Sequence, residues 1–464
     1  MADVIQCISP VDGSVYAERP VASDKAVAET FRKARSAQGQ WRGLPIADRA
    51  KYCSAAVDAM LAMSDDIVPE LAWQMGRPVR FGAGEMKGFE ERARHMIEIA
   101  ASALEPIDPG PKPGFKRAIT REPLGVVFTI APWNFPYMTA VNSVIPALMA
   151  GNAVVLKHAA QTLLVAERFQ MAFDHAGLPD GCFQHLVLNH AQTGSIIASR
   201  LVDMVCFTGS VEAGKAMEKA AAGTFTALGL ELGGKDPAYV RPDCNMAHAV
   251  ENLVDGAFFN SGQSCCAIER IYVHRNVWDE FLDRFVDLTR TYVLGDPLEP
   301  ATTLGPMVKA DAATFVRGQV AAAVRAGARA HLDPKAFPMD RENSPYMAPQ
   351  VLSDVNHQMA VMTEESFGPV VGLMPVADDR EAIGLMNDSP YGLTAAIWTE
   401  DAEAAERIGR ELETGTVFMN RCDYLDPALA WTGVKDTGRG CTLSVVGYEA
   451  LTRPKSWHLR TQTS

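Results

Sequence analysis

Between residues 132 and 232 the chain alternates in hydrophobic period. Helical spacing runs over 138–150, 161–176, 191–200 and 210–222, and short apolar runs occupy 153–157, 184–188, 204–207 and 226–232. Strands separated by helices cannot pair as hairpins, so the crossovers impose a parallel sheet with helices on both faces. The runs Ala153-Val154-Val155-Leu156-Lys157 and Met204-Val205-Cys206-Phe207 are apolar on both faces, as strands between two helical layers have to be. A second alternation extends from 237 to about 420, taking in a strand at 269–274, a helix over 276–293, and a helix over 401–414 capped by Asp401 and closed by Gly415. At 464 residues the chain exceeds one ordinary core, and it reads as two α/β domains.

The flanks behave differently. Residues 23–104 are helical in pattern: Ser23 caps a first helix, and 46–75 carries apolar residues at helical spacing up to a stop at Gly76-Arg77-Pro78. A Pro- and Gly-rich stretch, 106–113, then leads into strand-like runs at 115–120 and 124–130. The tail has strand character at 455–460 with no partner strand beside it in sequence. A net charge of −13 argues against nucleic acid or an anionic membrane as partner, and no apolar run is long enough to span a bilayer. The N-terminus lacks the basic and apolar regions of an export signal. Nine cysteines, an odd number without metal spacing, fit reduced thiols in the cytoplasm.

Five short segments carry candidate chemistry. Gly262-Gln263-Ser264-Cys265-Cys266 ends a helical run that starts near Cys244 and precedes a strand, so two thiols sit where backbone amides lack internal partners. Pro132-Trp133-Asn134-Phe135-Pro136 holds an amide in a rigid turn, suited to donate to an oxyanion. Phe207-Thr208-Gly209-Ser210, with Gly214 after it, passes from a buried strand through glycine into a helix N-terminus, a geometry that binds phosphate. Leu230-Glu231-Leu232-Gly233-Gly234-Lys235 sets a carboxylate at a strand end, and Glu364-Glu365-Ser366-Phe367-Gly368-Pro369 is a loop with paired carboxylates. Each alone also fits a bland role: buried thiols as small hydrophobes, Asn134 as a turn residue, the carboxylates as a solvated face.

Together and in this order the five segments closely resemble the aldehyde dehydrogenase superfamily, over nearly the whole chain. The resemblance implies Cys265 as nucleophile, Asn134 as oxyanion donor and Glu231 as general base. It implies that Lys157 contacts the adenosine ribose, Ser210 the pyrophosphate and Glu365 the nicotinamide ribose, with Trp133, Gly209, Gly214, Leu232 and Phe367 completing an NAD or NADP site. Phe135, Arg421 and Trp431 match positions around the substrate. The implied α/β fold has a Rossmann-like cofactor domain (1–105 and 124–231), a catalytic domain (232–442) and an oligomerisation element (106–123 and 443–464), which makes the protein a homodimer or homotetramer.

Two departures from the commonest pattern bear on specificity. Many NAD-preferring members carry Glu three residues after the lysine; here Ala160 stands there, which removes repulsion against a 2′-phosphate. The usual Pro-Phe-Gly-Gly near the C-terminus is replaced by Ala430-Trp431-Thr432-Gly433, so the aromatic role passes to Trp431. The reaction implied is oxidation of an aldehyde to its acid through a thiohemiacetal and a thioester. Members that pass the acyl group to coenzyme A lack the carboxylate matched by Glu231, so transfer to coenzyme A is the second reading and a non-catalytic protein reusing the fold the third. Arg421 suits the far carboxylate of a semialdehyde such as succinate semialdehyde, Asp423 an amino group; the two also suit each other or solvent.

Overall fold

The computed structural model describes residues 3–422 and 424–463; Asp423, the candidate amino-group ligand, lies outside them. A six-stranded sheet runs in the order Gly438–Arg439, Ala227–Glu231, Met204–Thr208, Val126–Ile130, Ala153–Lys157, Phe183–His185. All neighbours are parallel except the short Gly438–Arg439, which lies antiparallel to Ala227–Glu231. The chain starts in the middle at Val126–Ile130, moves outward to one edge, and returns to Met204–Thr208 on the other side. That reversal opens a crevice at the carboxyl ends of Val126–Ile130 and Met204–Thr208, where doubly wound sheets bind ligands.

A seven-stranded sheet has the order Arg329–Ala330, Gln350–Ser353, Val370–Val376, Ile268–His274, Asp236–Val240, Thr394–Trp398, Thr416–Met419, antiparallel only at its first pair. It approaches the same crevice with the amino ends of three strands. Gly233-Gly234 enters Asp236–Val240, Cys265-Cys266 enters Ile268–His274, and Glu365 to Pro369 enters Val370–Val376. The helix Pro136–Met149 is buried along almost its whole length, between Val79–Ala103 and the strands Val126–Ile130 and Ala153–Lys157, which is why its sequence is apolar all round. No helix among the described residues is long and apolar enough to cross a membrane.

The 132–232 alternation has the expected elements, with shifts at the ends. The 184–188 strand shortens to Phe183–His185, because an edge strand has only Ala153–Lys157 to pair with. The 46–75 pattern is two helices, Ile46–Leu61 and Ser64–Met75, divided where the Ser64 hydroxyl donates to the Leu61 carbonyl at 2.6 Å. The 401–414 helix ends at Gly409, since Asn387 engages the Glu411 carbonyl and the Glu413 amide and draws that segment out of the helix. The 276–293 helix is a 3₁₀ turn followed by Trp278–Thr289. An N-terminal hairpin, Val4–Ile8 with Val15–Pro20, was not anticipated, although Asp12-Gly13 is a hairpin turn signal and Gly13 has φ of 79°. The tail strand finds its partner far upstream: Thr452–Arg460 pairs antiparallel with Phe115–Pro123 as a separate two-stranded sheet.

Candidate active site

The crevice is a cavity of about 1230 Å³. The six-stranded sheet and its loops contribute Trp133, Asn134, Phe135, Lys157, Gly209, Ser210, Glu231 and Leu232. The other sheet contributes Cys265, Glu365 and Phe367, and the C-terminal loops Arg421 and Trp431. Gly214, singled out with the Gly209-Ser210 turn, stays outside the lining. It lies beneath the lining, where a Cβ would stand 2.6 Å from the methyls of Leu232, so only glycine lets the helix Val211–Ala221 pack this close.

Asn134 is fixed twice. Its main-chain carbonyl accepts from the buried Arg77 guanidinium and from Asn260 Nδ2 at 3.3 Å, and its own Nδ2 donates to the Gln263 carbonyl at 3.2 Å. An amide nitrogen carries two hydrogens, so one remains for an oxyanion. Arg77 also pairs with Glu85 and lies 4.5 Å over the Phe135 ring, so one guanidinium sets the whole turn. Asn260 and Ser261, at φ of 52° and 58°, bend the chain sharply just before the thiols.

Cys265 is half-buried and Cys266 fully buried. The neighbouring Cys266 thiol, followed by burial and by the negative charge of Glu231, pushes the Cys265 thiol well above its ordinary pKa. Glu231 is raised too, by burial, against the opposing effect of hydrogen bonds from Thr442 at 2.6 Å and Thr208 at 3.0 Å and of the Arg92 charge.

Of the paired carboxylates Glu364 is exposed, whereas Glu365 turns inward and accepts from the Gly234 amide at 3.0 Å. Burial and the repulsion of Glu269 raise Glu365 to about 7. A Cβ on Gly233 would lie 2.4 Å from the Glu365 carboxylate, so glycine is required there. The loop is held by Glu269, which accepts from the Ser366 and Phe367 amides at 2.9 Å and pairs with buried Lys235. Phe367 meets Trp133 edge to face at 5.7 Å. Ser210 caps the helix Val211–Ala221, accepting from Ala213 N at 3.3 Å, and burial lowers the Lys157 ammonium beside it in the lining.

Sequence reasoning passed over Arg77, Glu85, Asn260, Glu269, Thr208, Thr442 and Arg92. Arg77 stood inside a Gly-Arg-Pro helix stop and looked like punctuation; an arginine and a glutamate two turns apart from each other on one helical face, as Glu85 and Arg92 are, were the available signal for the rest of that helix. Arg421 lines the cavity, but its guanidinium lies 3.6 Å over the Tyr424 ring. Ala160 opens a 3₁₀ turn just beyond Ala159, which does line the cavity.

The model of the aldehyde dehydrogenase family matches residues 2–457. The chain belongs to that family. It is an oxidoreductase of the EC 1.2.1 type. A succinate-semialdehyde dehydrogenase [NADP(+)] of Mycobacterium avium (strain 104) is 35% identical, over 97% of this chain and 96% of its own length. Among solved structures, Gox0499, described for its cofactor and substrate selection, superposes with a TM-score of 0.94 at 32% identity, covering 98% of this chain and 99% of its own. The succinic semialdehyde dehydrogenase of Streptococcus pyogenes, in complex with NADP+, gives 0.93 at 26% identity, covering 98% and 100%.

Proposed function

We propose that the chain oxidises a short ω-carboxylated aldehyde, succinate semialdehyde above all, to the free acid with NADP or NAD. The carrying observation is that the Cys265 thiol, the Asn134 amide and the Glu231 carboxylate, distant in sequence, line one cavity. The relatives named as succinate-semialdehyde dehydrogenases support the substrate class.

The residues present fit a dinucleotide. Gly209 and Ser210 bring a helix N-terminus to the cavity for a pyrophosphate, Lys157 offers a buried cation, and Glu365 is anchored at Gly234 with the backbone drawn close around it. Ala160 leaves the 2′-position free of a fixed negative charge, which supports use of NADP.

The Cys265 thiolate attacks the aldehyde carbon. The tetrahedral oxyanion takes the free hydrogen of Asn134 Nδ2. Nicotinamide, when bound, supplies the hydride acceptor. The thioester left on Cys265 needs an activated water, and Glu231 provides the base by leaving its threonine partners. A base in that position favours a free acid over transfer to coenzyme A.

We assign residues 1–105 and 124–231 to the cofactor domain, 232–442 to the catalytic domain, and 106–123 with 443–464 to a homodimer or homotetramer contact. The exposed Trp457 and Leu459 on the separate two-stranded sheet support that last assignment. The scattered, odd-numbered thiols support a cytoplasmic site.

The test is one kinetic panel of semialdehydes, aminoaldehydes, aliphatic and aromatic aldehydes with each cofactor. Highest kcat/KM for succinate semialdehyde is expected; equal values for butanal would overturn the substrate class, and acyl-coenzyme A as product would overturn the hydrolytic reading.

A further inference from the structure

A buried arginine of the cavity wall, Arg92, stands without an ion pair among the described residues. Arg92 is 9% exposed and lines the cavity, yet no carboxylate among the described residues lies within ion-pair distance of it. Only its Nη1 is engaged, donating to the Met138 carbonyl at 2.8 Å and weakly to Asn142 Oδ1 at 3.5 Å. Glu85, two turns earlier on the same helical face, is already saturated by Arg77 and by the amides of Tyr137 and Met138.

Of the other cations of the wall, Arg94 is held by Glu90 and Asp58, Lys87 is exposed to solvent, Arg421 lies over Tyr424, and Lys157 ends the strand Ala153–Lys157, where it is assigned to the dinucleotide. A buried guanidinium without a carboxylate is expensive, and its planar fork matches a carboxylate in two parallel hydrogen bonds. Burial lowers the Arg92 pKa, against the opposing charges of Glu85 and, after it, Glu231, Cys266 and Cys265. Arg92 and the Cys265 nucleophile line the same cavity.

We propose that Arg92 is the residue that binds the far carboxylate of a short ω-oxo acid, through its Nε and Nη2, while Cys265 engages the aldehyde. This rests on the semialdehyde reading above. It makes Arg92, on the buried face of the helix Val79–Ala103, the specificity residue in place of Arg421 on the C-terminal loop. Longer ω-oxo acids would overshoot it, and uncharged aldehydes would leave it unpaired.

The experiment compares kcat/KM for succinate semialdehyde with kcat/KM for butanal, in wild type, Arg92→Met, Arg92→Lys and Arg421→Met. Loss of a charged hydrogen-bond partner lowers binding about 10²-fold, so the ratio should fall by about that factor in Arg92→Met, chiefly through KM, and by about tenfold in Arg92→Lys. Arg421→Met should keep the wild-type ratio. Should Arg92→Met fail to fold, the Arg92→Lys comparison carries the same test, and an unchanged ratio there overturns the proposal. Equal losses on both aldehydes would make Arg92 a packing residue, and loss of the ratio in Arg421→Met alone would move the carboxylate to the loop. A wild type without preference would instead overturn the semialdehyde reading itself.

Discussion

The Thr442 hydroxyl donates to Oε1 of Glu231 at 2.6 Å across 211 residues of sequence, while Thr208 holds the other carboxylate oxygen at 3.0 Å. Both hydrogen bonds favour the charged carboxylate and oppose the rise that burial imposes. Thr442→Val should therefore raise the Glu231 pKa further. A base acts only when deprotonated, so the acidic limb of the kcat profile should move to higher pH, with turnover at pH 6 falling more than at pH 8. Profiles of kcat from pH 5.5 to 9 check this, and a limb moved to lower pH would contradict it.

Glu231→Gln should split the reaction at the thioester. Attack and hydride transfer proceed once Cys265 is ionised, whereas deacylation requires a base for water. Steady-state turnover should fall by about 10²–10⁴-fold, the range a positioned general base supplies. Rapid mixing should show a burst of reduced cofactor near one equivalent per site, with the acyl-enzyme visible by mass spectrometry. A first turnover slowed as much as the steady state would instead place the main role of Glu231 in deprotonating Cys265.

The adjacent thiols should respond in opposite ways. Cys265→Ala should abolish aldehyde oxidation. Cys266→Ala should keep most of it, and because the contact with the Cys266 thiol is the largest cause of the raised Cys265 pKa, its removal should lower that pKa. Iodoacetamide should then alkylate Cys265 faster at neutral pH than in wild type. Equal inactivation by both substitutions would contradict the assignment of the nucleophile.

Ala160→Glu should shift the ratio of kcat/KM values toward NAD, by setting a carboxylate against the 2′-phosphate. Steady-state kinetics with both cofactors measure the ratio, and a wild type with no NADP turnover would remove the basis of the prediction.

Local chemistry was legible in the sequence where it repeats along the chain. The buried parallel strands Ala153–Lys157 and Met204–Thr208 follow from residues apolar on both faces, and the caps Ser23 and Asp401 from side chains that accept from amides three residues on. The family segments were equally legible, because each packs several unusual residues into one turn. Element ends were less so: whether helix continues past Leu61 or Gly409 depends on Ser64 and Asn387, whose hydrogen bonds compete with the helix ladder.

The sequence by itself determined the mixed α/β class with parallel sheets, the family to which the chain belongs, and which thiol, amide and carboxylate are the candidates for its chemistry. Only the tertiary structure decided how those groups are held and what charge they feel. Thr442 on Glu231, Arg77 on the Asn134 carbonyl and Glu269 on the Phe367 amide are contacts between distant segments, and none has a spacing that a periodicity could reveal. The unpaired Arg92 is of the same kind. A guanidinium on a helix looks like any solvated charge until the fold buries it against a cavity with no carboxylate of the described residues in ion-pair reach, because desolvation and pairing are properties of three-dimensional neighbours and not of chain order.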